Sequence, residues 1–447
     1  MGSRARRRPL PVEEFVAEVS DLAHDGRGVA RVIRAGAEGK GKVTFIEGAL
    51  PGERVRCQLI RSGRDADEAV VKAIEQASPY RVEPACPHFG VCGGCALQHL
   101  TPAEQVSFKQ KQLLETLRRV GAVEPEEVVA PVTGPAWGYR RRARLGVKLV
   151  PKKGGVLVGF RERDAPLLAA LESCAVLDPR VGSRLRELAR LIGSLSIAAK
   201  LPQIEVACAE PVALVLRVLA EPTVADFEAL RSFGAEYGFD FYLQRGGPDS
   251  VQPLETAGIL AYSPDGSELR LEFGPQDFVQ VNAAVSQAMV RQALAWLAPA
   301  PGETVLELFC GLGNFTAPLA RTGARVTAVE GEAALVERAR ANLARNGLQA
   351  QLVRADLFAA NADALWLRGP YDLALLDPPR SGAAEILPLV ARGGPRRIVY
   401  VSCHPGTLAR DAGALVREHG YRLRRAGVLD MFPHTAHVES MALFEKA

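Results

Sequence analysis

The sequence predicts an α/β protein in three parts: a front barrel of short strands, a central mixed α+β region, and a C-terminal doubly wound sheet. Between residues 12 and 76, short strand-like segments recur between Gly-bearing turns. From about residue 270 onward, apolar strands alternate with helical stretches, the pattern a doubly wound sheet requires. Four of those later strands run into polar residues, which places chemistry along one sheet edge. A length of 447 residues suits about three domains, with expected boundaries at 10–77, 78–268 and 269–447. Hydrophobic residues at 48% and charged residues at 24% match globular usage, excluding a disordered chain, a collagen-like chain and a disulfide miniprotein. The longest apolar run, Val212 to Ala220, is short and broken by Arg217, so no membrane span is expected.

In the front region Phe15–Val19, Gly28–Ile33, Lys42–Ile46, Arg54–Ile60 and Glu68–Ile74 read as strands, enough for a small oligonucleotide-binding type of barrel. The segments His24-Asp25-Gly26-Arg27-Gly28 and Pro51-Gly52-Glu53-Arg54-Val55 resemble the TRAM domain, an RNA-binding module of RNA-modifying enzymes. Few aromatics accompany them, so phosphate contacts are expected to dominate over base stacking. Net charge is only +4, but basic residues cluster at Arg4 to Arg8, at Arg54 to Arg64, and at Arg140, Arg141, Arg142, Arg144 and Lys148. The N-terminus lacks the apolar core of a secretory signal, and the expected location is the cytoplasm.

Residues 84–100 form a cysteine-rich loop, and Thr101-Pro102-Ala103-Glu104 then reads as a helix start whose stop is supplied by Gly121. Eight cysteines in a cytosolic chain do not suggest disulfides. Cys86, Cys92 and Cys95 have the spacing C-x5-C-x2-C, and with the distant Cys174 they suggest a metal site of thiolates. Thiolates suit zinc or an iron-sulfur cluster, and spacing does not choose between them. Cys57, Cys208 and Cys310 read as packing residues. After a connector, Val123 to Pro135, a strand pair turns at Lys152-Lys153-Gly154-Gly155. Its first strand alternates Ala143, Leu145, Val147 and Leu149 with Arg142, Arg144, Gly146 and Lys148, giving one apolar and one basic face, expected to be an RNA-binding surface for a phosphate backbone, with a solvent-facing strand side as the alternative. Strands at Ile204–Ala207 and Ala213–Val218 and a helix at Val224–Tyr237 follow.

In the last part the strand Val305–Leu308 runs into Phe309-Cys310-Gly311-Leu312-Gly313-Asn314-Phe315-Thr316, where glycines let a ligand approach the backbone. A dinucleotide fingerprint needs Gly or Ala where Thr316 stands, which disfavours a nicotinamide dehydrogenase. The next strand ends in Glu330, placed to accept ribose hydroxyls; the third ends in Asp356; the fourth, Leu373–Leu376, ends in Asp377-Pro378-Pro379-Arg380. This arrangement resembles a class I S-adenosylmethionine-dependent methyltransferase, with the glycine loop around the methionine portion of the donor. An aromatic after Asp-Pro-Pro would suggest methylation of an amino group; Arg380 stands there instead.

The fifth strand, Arg397–Ser402, delivers Cys403 to the same edge, with a helix beginning near Thr407. A thiol beside a helix N-terminus is expected to favour the thiolate. A thiolate next to a methyl donor suits carbon 5 of uracil, which is too poor a nucleophile until a thiolate adds at carbon 6. A base must then remove the carbon-5 proton. Near the C-terminus, His434-Thr435-Ala436-His437-Val438-Glu439-Ser440 offers Glu439 for that task, its pKa raised by burial. His434 and His437 are equally compatible with packing and with a site role.

These segments are similar to the bacterial RNA (uracil-5-)-methyltransferase family, through Asp277-Phe278-Val279-Gln280-Val281-Asn282, Leu308 to Phe315, Asp377-Pro378 with Arg380, Val401-Ser402-Cys403, and His437-Val438-Glu439, over essentially the whole chain. The TRAM-like front, the cysteine loop and Leu408-Ala409-Arg410-Asp411 point within the family to the type that methylates 23S ribosomal RNA, with transfer RNA as the alternative substrate. A non-catalytic iron-sulfur RNA-binding protein is a further alternative, but it gives Cys403 and Glu439 no shared purpose. The resemblance implies Cys403 as nucleophile, Glu439 as proton acceptor, and Gln280, Phe309, Asn314, Glu330, Asp356 and Asp377 around S-adenosyl-L-methionine. It also favours a [4Fe-4S] cluster over zinc on Cys86, Cys92, Cys95 and Cys174, bracing the fold or an RNA-binding surface. No membrane and no obligate protein partner are expected, and the chain is expected to be a monomer. One departure from the family is His404, where Asn usually follows the nucleophile.

Overall fold

The computed structural model describes residues 14–33, 41–163, 165–359 and 362–447. The basic cluster Arg4 to Arg8 lies outside the described residues. By compactness the chain falls into two units, one of residues up to Phe108 with His434–Ala436, the other of Lys109–Pro433 with His437–Ala447.

In the first unit a six-stranded sheet runs in the order Glu14–Glu18, Arg54–Ser62, Ala66–Gln76, Lys42–Glu47, Gly28–Val32, Asp21–Leu22. Its inward residues, among them Ala17, Ala30, Ile46, Val55, Cys57 and Ala69, form one apolar core. The two-residue strand Asp21–Leu22 is too short to leave a periodic signal. Glu53 of the TRAM-like segment clamps its surroundings: its buried carboxylate accepts from Leu50 N at 2.8 Å and Ser78 N at 3.2 Å and pairs with Arg81. Those bonds hold its pKa below the ordinary carboxylate value although burial opposes them. The cysteine-rich loop seats Leu97 and Leu100 against Leu22 and Leu50.

The second unit contains two large sheets. One has the order Val251–Pro253, Phe239–Gln244, Val212–Arg217, Gln203–Cys208, Arg142–Val150, Gly155–Gly159. Helices Leu185–Ser194 and Val224–Tyr237 pack against it, the latter opened by a capping box between Thr223 and Asp226. The expected helix begins at Pro102 and runs to Thr116, but Gly121 is not its αL stop. The chain widens into one π turn, Leu117–Gly121, and Ala122 takes the left-handed conformation at φ 52°. Gly121 is there for closeness instead, since a Cβ would lie 2.5 Å from the carbonyl oxygen of Ala409.

The other sheet has the order Gln351–Arg354, Arg325–Glu330, Thr304–Leu308, Leu373–Leu376, Arg397–Ser402, Glu439–Lys446, Tyr421–Leu429, Glu127–Val128. Its first five strands are parallel. The C-terminal hairpin makes the sheet mixed, because Glu439–Lys446 enters antiparallel between Arg397–Ser402 and Tyr421–Leu429. The strand order reverses beside Thr304–Leu308, which opens the crevice where such sheets bind ligands. Leu308 lies level with Val329 on one side and Leu376 on the other. Phe309, Glu330 and Asp377 therefore emerge together at one edge.

Candidate active site

At that edge lies a cavity of about 960 Å³. Its lining includes every residue expected at the methyl-transfer site: Gln280, Phe309, Asn314, Glu330, Asp356, Asp377, Cys403 and Glu439. Register explains the last two. Ser402 pairs with Ser440 across antiparallel strands, so the next residue on each, Cys403 and Glu439, face one another where the pairing ends.

The glycine loop is held open by backbone geometry. Phe309 adopts φ 62° and Gly311 φ 56°, left-handed values that are costly for phenylalanine and recur where a site fixes them. No atom lies within 4 Å of where a Gly311 Cβ would stand, so the backbone there is bare to a ligand. The Glu330 carboxylate accepts from Gly311 N and from Glu332 N, both at 3.0 Å, tying the second strand to the loop. Asp356 accepts from Phe358 N at 2.9 Å, and the Phe358 and Phe309 rings meet at 5.9 Å. A bare glycine backbone, an acidic strand end and a pair of aromatic rings fit S-adenosylmethionine, whose adenine is flat and whose ribose hydroxyls donate hydrogen bonds.

Burial governs the chemistry of the reacting groups. Glu439 is 4% exposed, and desolvation with Asp377 nearby pushes its carboxyl up to about 8, opposed by Arg380. Desolvation pushes Asp377 up to about 7. The helix start does not by itself secure the expected thiolate at Cys403: burial, then Glu439 and Asp377, push the thiol up to about 11. Arg380 is the cation that opposes them. The helix does begin beside the thiol, at Pro405. Its N-terminal field is outweighed by desolvation and two acids. His404 supplies that helix's N-cap, Nδ1 accepting from Thr407 N at 3.3 Å. An asparagine carbonyl would make the same bond, which accounts physically for histidine at this position.

One cavity residue, Tyr262, and several residues that support the cavity were not assigned to the site from sequence. Tyr262, from a two-residue strand, donates its hydroxyl to Asn314 Oδ1 at 3.0 Å and carries the Arg141 guanidinium 4.5 Å above its ring. Arg141 Nε donates to the Gln280 carbonyl at 2.7 Å. Glu307 lies wholly buried beneath the loop, its carboxyl pushed by desolvation up to about 8. Buried Lys109 pairs with Asp430 at 2.6 Å and donates to the Phe432 carbonyl at 2.9 Å, steadying the segment that brings Phe432 to the cavity. Helix and loop are joined behind the thiol. Asp411 accepts from Tyr400 Oη, Ala383 N and Arg410 Nε, while Arg410 donates to the Ser381 carbonyl, fixing the loop that carries Arg380. Of the two histidines, His437 lines the cavity and burial holds it below its ordinary pKa. His434 belongs to the first unit, where its backbone N–H donates to Gln105 Oε1 at 2.8 Å.

Cys86, Cys92 and Cys95 lie in the first unit and Cys174 in the second. Among the described residues no three His, Cys, Asp or Glu side chains are gathered as metal ligands. The donor chemistry of the loop nevertheless suits a thiolate-bound metal: all three of its cysteines are partly accessible, and Gly94 N–H donates to Cys92 Sγ at 3.4 Å. Cys57 and Cys208 are buried thiols pushed up to about 12, as inert packing residues are, and burial raises Cys310 too.

Sheet order, switch-point cavity and glycine loop together define a class I S-adenosylmethionine-dependent methyltransferase. Comparison with known proteins narrows this. A family model described as tRNA (Uracil-5-)-methyltransferase matches residues 263–364 and 367–447, and a TRAM domain model matches residues 10–65. The 23S rRNA (uracil(1939)-C(5))-methyltransferase RlmD of Alkalilimnicola ehrlichii is 54% identical over 445 residues, covering 99% of this chain and 98% of the relative. The protein of the same name from Methylococcus capsulatus is 50% identical over 450 residues, with all of both chains covered. A crystal structure of Pyrococcus abyssi tRNA (uracil-54, C5)-methyltransferase with S-adenosyl-L-homocysteine shares the fold, with TM-score 0.71 and 24% identity over 96% of this chain and 100% of that one. The chain belongs to the RNA (uracil-5-)-methyltransferase family.

Proposed function

We propose that the enzyme methylates carbon 5 of a uridine in 23S ribosomal RNA, the one that its relatives' names number 1939. The observation that carries the reading is the Cys403–Glu439 pair, set face to face by strand register inside the cavity that holds the donor-site residues. S-adenosylmethionine, when bound, supplies an electrophilic methyl group on sulfonium sulfur. Cys403 Sγ, deprotonated beside Arg380, bonds to carbon 6 of a uracil that has left its stack. Carbon 5, now enolate-like, takes the methyl group as its bond to the sulfonium sulfur breaks, leaving S-adenosyl-L-homocysteine. Glu439 as carboxylate then removes the carbon-5 proton, the carbon–sulfur bond breaks, and the thiolate is regenerated. Gln280, Phe309, Asn314, Glu330, Asp356 and Asp377 hold donor and base in register. Incubation with labelled donor and unmodified total RNA is expected to place label at carbon 5 of one uridine in 23S ribosomal RNA. Label confined to transfer RNA, or on an exocyclic amine, overturns the assignment.

Cys86, Cys92, Cys95 and Cys174 are proposed as ligands of a [4Fe-4S] cluster that braces the protein; zinc is the alternative. Thiol chemistry and spacing support this. Methyl transfer moves no electrons, so no catalytic step passes through these residues. Anaerobically purified protein is expected to contain about four irons per chain and to absorb in the visible, while a zinc-only content contradicts the cluster. The enzyme is further proposed to act as a cytoplasmic monomer. Among the described residues no helix is long and apolar enough to cross a membrane.

A further inference from the structure

A second cavity, of about 720 Å³, opens on the sheet that contains Arg142–Val150. Its wall is the basic face of that strand, where Arg144, Gly146 and Lys148 alternate with buried Leu145 and Val147. A strand side that merely faces solvent would be flat; this one is concave, for a reason visible in the register. Gly146 stands opposite Gly159 of the neighbouring strand. A Cβ on Gly146 would lie 2.5 Å from Leu168, and one on Gly159 2.7 Å from Leu171. The paired glycines thus let the chain around Leu168 and Leu171 seat directly on the sheet and close the groove. Phe160, Leu167 and Pro202 make its lining largely apolar, and cations stand around it. Arg144 is engaged by Glu205 at 3.1 Å, but no ion pair among the described residues engages the exposed Lys148 or Arg161.

The groove adjoins the methyl-transfer cavity. Arg140 lines that cavity, and its guanidinium carbon lies 5.6 Å from the centroid of the Phe160 ring, which lines the groove. One cation–π contact therefore separates the two. We propose that the groove is a second RNA subsite, which takes an unpaired nucleotide close to the target uridine. Its base rests on Phe160 and Leu167, and its phosphates are met by Lys148 and Arg161. This rests on the RNA-methylation reading above and extends it. Adjacency to the methyl-transfer cavity favours RNA over an acidic peptide, and the apolar lining with a cationic rim is what an unpaired nucleotide requires.

The test uses the full-length protein and a single-stranded fragment of 23S ribosomal RNA spanning the target. Lys148→Glu with Arg161→Glu is expected to weaken binding about tenfold at ~0.1 M salt. The slope of log affinity against log salt is expected to fall by about 1.4, at ~0.7 per single-strand phosphate contact. Phe160→Ala is expected to weaken binding about tenfold with the slope unchanged, because stacking carries no counterion release. Affinity for the methyl donor stays constant in both. Wild-type affinity and slope in both variants overturn the subsite, as does competition by an acidic polypeptide that these changes abolish while RNA binding stays intact. Wild-type methylation of the RNA, followed alongside, separates failure of the subsite from failure of the reaction itself. Should charge reversal lower the melting temperature, Lys148→Gln with Arg161→Gln carries the same slope test.

Discussion

Replacing Cys403 by alanine removes methyl transfer, lowering turnover by roughly 10⁴-fold or more, the scale on which loss of a covalent nucleophile is felt. The size follows from the substrate. Uracil carbon 5 is part of an electron-poor conjugated ring, and without a bond at carbon 6 it has no electron pair to offer a methyl group. Of the cavity's other lining residues only Cys310 carries a thiol. Cys310 is 4% exposed with its thiol raised by burial, so it is no substitute. Cys403 is only partly buried, and alanine there leaves no large void. The variant is therefore expected to melt like wild type and to bind RNA and donor with unchanged affinity. Full turnover by Cys403→Ala contradicts the assignment.

Replacing Glu439 by glutamine is expected to stall the reaction after methylation rather than before it. A glutamine amide keeps the shape of the carboxyl but accepts no proton, so turnover falls by about 10²–10⁴-fold. The sulfur–carbon bond cannot break until carbon 5 loses its proton, and a denaturant-resistant protein–RNA adduct accumulates. Burial is what suits the native acid to this work: a carboxyl raised to about 8 is a far stronger base than one in water. The adduct is read as a slow-migrating band on a denaturing gel, dependent on methyl donor. Rapid release of product with no such band contradicts the base role.

Much of this was legible in the residues because strand ends are written locally. The segment Leu373–Leu376 and the run Arg397–Ser402 are apolar blocks bounded by Asp377 and Cys403, and the sheet places both ends at one edge. The front strands were legible for the same reason, with ends displaced by a residue or two. Three things were not. Tyr262 reaches Asn314 from a two-residue strand, which leaves no periodicity. Gly121 looked like a helix stop but serves close packing on Ala409, a contact nearly 300 positions away that no local pattern encodes. The state of Cys403 depends on a balance: the helix start beside it was readable, whereas the desolvation and the two acids that outweigh it arise only when three strands meet.

The most direct measurement is to isolate the adduct formed by Glu439→Gln, digest protein and RNA, and identify the joined peptide and nucleotide by mass spectrometry. The account predicts a 5-methyluridine-derived nucleotide bonded to the sulfur of Cys403. Attachment to any other side chain, or methylated product formed at a wild-type rate with no protein–RNA bond at any time, contradicts it.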